Sequence, residues 1–129
     1  VENPVRQDIF GISHIGTIQD QNTQLAVFVC TDDIVVPHFH IRNKADWIDL
    51  SIGICITDPV YFHHLGRERI LNARQKQLLI DFLQSDSETF GFDPQLVRTN
   101  WDVIKVEWNR NNTSMNVPYD VEMPDYTLL

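Results

Sequence analysis

The chain has 129 residues and a mass of 15.0 kDa, which fits one domain with a core large enough to need no disulfide or metal staple. Its 43 % hydrophobic content, set against 22 % charged residues, excludes a disordered chain. Ten basic against 18 acidic residues give a net charge of −8 and a pI near 4.8, so the surface repels phosphate backbones and anionic lipid. Direct nucleic-acid binding is therefore not expected. The carboxylates are interleaved with apolar and basic residues rather than set in rows, which also argues against an acidic decoy imitating DNA.

No apolar run approaches the ~20 residues of a membrane helix, and no basic-then-apolar leader opens the chain. A cytoplasmic protein without membrane contact is the expectation, with Cys30 and Cys55 as reduced thiols inside apolar strand-like runs.

Residues 1–8 are polar, contain Pro4 and carry no motif. Over 9–18 the pattern is a loose strand with Ile12, His14 and Gly16 on one face and Ser13, Ile15 and Thr17 on the other. The turn residues of 19–23 and the β-prone run 25–30 predict a second strand folding back as a hairpin. After the break at Thr31-Asp32-Asp33 the course is extended through Pro37, which marks an edge position or the start of the next strand because proline donates no ladder bond. That strand carries His38 and His40, whose i, i+2 spacing sets two imidazoles on one face and turns Phe39 and Ile41 to the other.

Over 47–57 the residues Ile48, Leu50, Ile52, Ile54 and Ile56 share one parity and must face the core as a fourth strand. Asp58-Pro59 ends it. The segment 60–66 follows as an aromatic and histidine-rich connection, folding back over the core or presenting a binding patch.

Asn72 and Gln75 have the spacing of a capping box, so a helix begins there with Gln75, Leu78, Leu79, Phe82 and Leu83 along its inner stripe. Asp93-Pro94 offers the start of a second helix, with Val97, Trp101, Ile104 and Trp108 on one face to about Asn109; Thr99-Asn100 offers a fresh start within it. The tryptophans are core anchors by that spacing. From 113 to 129 the alternation of Val117, Tyr119, Val121 and Met123 with polar residues describes an extended arm that packs on its own domain or augments the sheet edge of a partner.

The fold class is thus α+β: a four-stranded, mainly antiparallel sheet followed by two helices on one face, all within a single domain 1–112, with the C-terminal arm 113–129. For chemistry the signals are sparse. There is no phosphate-cradling glycine loop, no Cys-x-x-Cys pair, no His-Glu-x-x-His and no Gly-x-Ser-x-Gly. A divalent metal would draw on His38, His40 and His63, with His64, His14 or Asp49 as other donors, since two ligands alone hold zinc weakly. No other cofactor and no catalytic residue is assigned.

The run Thr31-Asp32-Asp33 and Val36-Pro37-His38-Phe39-His40-Ile41, then a strand, a helix led by Leu71-Asn72 and a closing helix ending Glu107-Trp108-Asn109, resembles a family of small prokaryotic proteins of unknown function. Those proteins carry a Pro-Pro-His-Phe-His-Val motif and are often encoded beside toxin–antitoxin partners. The likeness spans about residues 12–109. Val36 replaces the motif's first proline, the loop around His63 is longer, and 113–129 is extra.

What the resemblance and the arm imply is a non-enzymatic accessory protein of a prokaryote, phage or mobile element that holds a protein partner through Tyr61, Phe62, Tyr119, Val121, Met123 and Tyr126. Two other readings stand beside it: a structural subunit or homo-oligomer knitted together by its arm, and a metal-dependent hydrolase or nuclease using His38 and His40.

Overall fold

The structure, a computed structural model, describes residues 6–7, 12–21, 23–31, 37–43, 48–54, 61–62, 70–87, 97–112 and 116–129. Its centre is an antiparallel meander of four strands: β2 (Ile12–Gln19), β3 (Gln24–Cys30), β4 (His38–Asn43) and β5 (Ile48–Gly53). Two helices follow, α1 (Ala73–Gln84) and α2 (Asn100–Asn111), so the α+β order read from the residues is the order found.

The sheet is wider than expected. Two-residue strands β1 (Arg6–Gln7) and β6 (Tyr61–Phe62) pair antiparallel with β2 and β5, giving the order β1-β2-β3-β4-β5-β6. Neither has the length for an alternation to show, which is why the sequence gives 1–8 no role and reads 60–66 as a connection.

The apolar parity of the fourth strand is borne out in β5. Ile48, Leu50, Ile52 and Ile54 are all buried, each such burial contributing ~1.5–3 kcal/mol. Cross-strand register places Phe39 beside Ile52, Ile41 beside Leu50 and Val27 beside Ile41, so one sheet face is a continuous aliphatic surface. Leu79 and Leu83 of α1 and Val103, Ile104 and Trp108 of α2 are buried in the same core.

Strand β2 departs from simple alternation. A bulge between His14 and Gly16 shifts the register, so that Ser13, Ile15 and Ile18 are buried while His14, Thr17 and Gln19 are exposed. Thr17, expected beside Ser13 and Ile15, is turned outward by that extra residue. At Gly16 the helix comes close: a Cβ there would lie 2.7 Å from the Phe82 ring, so a larger residue requires that ring to shift.

The first helix begins as its sequence predicts. The Asn72 side chain accepts from the Gln75 amide at 2.8 Å, and the Gln75 side chain accepts from the Asn72 amide at 2.9 Å. The second starts at the later of its two candidate sites: Thr99 is the cap of α2, with Asp102 completing a second box. The two helices are laced end to end, Asn100 Nδ2 donating to Phe82 O at 2.9 Å and the Asn100 amide to Ser85 O at 3.0 Å.

Residues 116–129 lie on this same domain, ending in a 3-10 turn (Tyr126–Leu128) with Val117 and Tyr126 inside the core. The expectations for Trp47, Cys55, Ile56, His63, His64 and the Asp93-Pro94 start fall outside the described residues.

Candidate functional site

Antiparallel pairing sets His14, Phe28, His40 and Ser51 in one row across β2 to β5, on the face opposite the aliphatic surface. Phe28 and His40 are cross-strand neighbours with ring centroids 5.1 Å apart and planes 10° from parallel. Ser51 Oγ and His40 Nδ1 share a hydrogen bond of 3.2 Å. His38 meets His40 edge-on at 5.0 Å and lies 5.2 Å from the indole of Trp108, with 0 % of its surface exposed. Arg42 lays its guanidinium 5.2 Å over the Phe28 ring and pairs with Asp49 at 3.5 Å.

The pair of imidazoles is therefore built into an aromatic cluster. His14 lies two strands from His40 with Phe28 between them, and it is the Phe28 ring that lies against His40. His14 instead shares a 3.3 Å hydrogen bond with Thr17 Oγ1. Asp49 is engaged by Arg42, and His63 lies outside the described residues. Among the described residues, no three His, Cys, Asp or Glu side chains gather to hold a metal ion. Ser51 beside an imidazole is a pairing seen in nucleophilic catalysis, but this serine is buried away from solvent.

A second constellation is set out by α2. Trp101, Lys105 and Asn109 stand at i, i+4 and i+8, on one stripe, and each grips the main chain of the segment running antiparallel beside it. Trp101 Nε1 donates to Val121 O at 3.0 Å. Lys105 Nζ donates to Tyr119 O at 2.5 Å and Val121 O at 3.2 Å. Asn109 takes Val117 from both sides, Nδ2 donating to its carbonyl at 2.8 Å and Oδ1 accepting from its amide at 2.6 Å.

Lys105 is only 3 % exposed, and its third acceptor is Asp102 Oδ1 at 3.2 Å, so its three N–H donors meet three oxygens beside the Trp101 ring. Burial works to raise the Asp102 carboxyl, but the amides of Arg98 and Thr99 and the Lys105 ammonium outweigh it and hold the group below its ordinary value.

The partner-surface residues proposed from sequence divide accordingly. Tyr119 is 54 % exposed at the tip of a turn that the Val121 amide closes on Pro118 O at 3.3 Å. Val121 and Met123 are half-buried against the core. Tyr126 is placed differently. It is wholly buried, its ring edge-on to Phe39 and Trp101 and its hydroxyl donating to Gly53 O at 2.5 Å. Tyr61 and Phe62 supply the outermost pairing with β5.

Sequence reasoning missed the roles of Lys105 and Asn109, and also a buried cluster tying α2 to β2. There Glu107, fully buried, accepts from Ser13 Oγ at 2.8 Å and Arg110 at 3.2 Å, while Asn111 Nδ2 donates to Ser13 Oγ at 2.9 Å. For Lys105 and Asn109 the available signal was their four- and eight-residue spacing from Trp101; the Glu107 cluster has no such signal.

No protein-family model, no curated protein and no solved structure matches this chain. None of the described helices is long and apolar enough to cross a membrane.

Proposed function

We propose that this chain is a small non-enzymatic accessory protein of a prokaryote or its mobile elements that holds a protein partner in the cytoplasm, with Tyr119 at the centre of the contact. The observation that carries this reading is an exposed aromatic on a backbone already immobilised: Tyr119 projects from the Pro118–Val121 turn, whose carbonyls are held by Lys105 and Trp101. A tyrosine fixed before binding loses little further freedom on contact, and such residues supply much of the energy of protein interfaces. Asp120 and Glu122 flank it, both exposed, so the complementary surface carries Lys or Arg around an apolar recess. The resemblance to proteins encoded beside toxin–antitoxin partners supports looking among neighbouring genes.

The test is co-purification of the tagged full chain with each adjacent gene product, repeated with Tyr119→Ala. A stoichiometric complex that weakens about tenfold or more in the variant supports the reading. A complex indifferent to Tyr119, or none with any neighbour, rejects it.

A further inference from the structure

The grip of α2 on the 116–129 segment has an unusual chemical character. Every polar contact that Trp101, Lys105 and Asn109 make with the segment goes to a main-chain atom of Val117, Tyr119 or Val121, so none depends on the side chain carried there, while Asp102 holds the remaining donor of Lys105 in place. Side chains are taken deeply at two places only, Val117 at the start and Tyr126 at the end. Between them Pro118, Tyr119, Asp120 and Glu122 face outward. Main-chain donors and acceptors with a few apolar recesses are what a protein uses to hold an extended peptide.

We infer that Trp101, Lys105, Asn109 and the Tyr126 pocket form an exchangeable socket, and that the partner it accepts is the 116–129 segment of a second copy of this chain. The same segment arriving from another copy makes the same bonds to the same atoms, so tethering alone favours the resident one. Three residues separate Asn112 from Asn116, and a tether that short gives its segment an effective concentration of about millimolar. Exchange therefore shows itself when chains are concentrated, or when the resident segment is weakened. The inference uses the inner side of the segment and is independent of any partner bound at Tyr119.

The test uses a fluorescent synthetic peptide of residues 116–129 added to the full chain, with Tyr126→Ala and Tyr126→Phe weakening the resident segment and leaving the socket residues as they are. The peptide binds Tyr126→Ala at least about tenfold more tightly than wild type and raises the melting temperature of that variant, with Tyr126→Phe between the two. In parallel, light scattering on the wild type shows dimer growing as the chain approaches about 1 mM. Should Tyr126→Ala fail to fold without peptide, Tyr126→Phe decides. If the folded variants bind the peptide no better than wild type, the socket does not exchange. A peptide that binds while the wild type stays monomeric to about 1 mM rejects the second copy as its occupant.

Discussion

Tyr126→Phe removes one oxygen and leaves the ring against Phe39 and Trp101, so the expected loss is that of a single hydrogen bond to Gly53 O, about 1 kcal/mol. Tyr126→Ala empties a fully buried site and should cost about 3–5 kcal/mol. Urea unfolding of the two variants separates these values, and equal losses would place the ring outside the core. Lys105→Met leaves Tyr119 O without this donor, Val121 O with Trp101 Nε1 alone and Asp102 without its ammonium, for a loss of about 1–3 kcal/mol by the same measurement. At this scale the sequence was least informative. A lysine on the polar flank of an amphipathic stripe looks like any solvated lysine until the segment that covers it is in place. His38 and His40 were conspicuous by spacing, yet what surrounds them comes from β3, β5 and α2, which no local pattern announces.

Elements were more legible, because caps and parity are local. Asn72→Ala should lower stability by about 1 kcal/mol through loss of the acceptor for the Gln75 amide; an unchanged unfolding midpoint would count against the box. In α2 the box has a pH signature. The Asp102 carboxyl is held below its ordinary value of 3.8 in the folded chain, so its stabilisation is complete above about that pH and is lost as pH falls through the lower folded value. Between pH 5 and pH 2, wild type should lose more stability than Asp102→Asn, and parallel curves would mean the carboxylate is not held. The same local logic explains the failures. The strands β1 and β6 are two residues each, and the bulge in β2 breaks a parity that the letters alone continue. At the start of α2, Asn100 is bonded to Phe82 O and Ser85 O at the end of α1, contacts that the spacing within the helix does not announce.

For the whole molecule, the question is what the 116–129 segment does for the rest. Its alternation predicted an extended, docked course, but alternation carries no information about the surface that receives it. That surface is made by Trp101, Lys105 and Asn109, with Gly53 of β5 beyond them, so helix, sheet and segment share one set of contacts. Hydrogen exchange followed by NMR reads these contacts directly through two protons, the Trp101 indole N–H donated to Val121 O and the Val117 amide donated to Asn109 Oδ1. Both should exchange at least about a hundredfold more slowly than in an unstructured peptide, and both should speed up in Tyr126→Ala while the amides of Val27 and Leu50 remain protected. Exchange of the two protons at unprotected rates in the wild type, with the sheet amides still protected, would contradict the account.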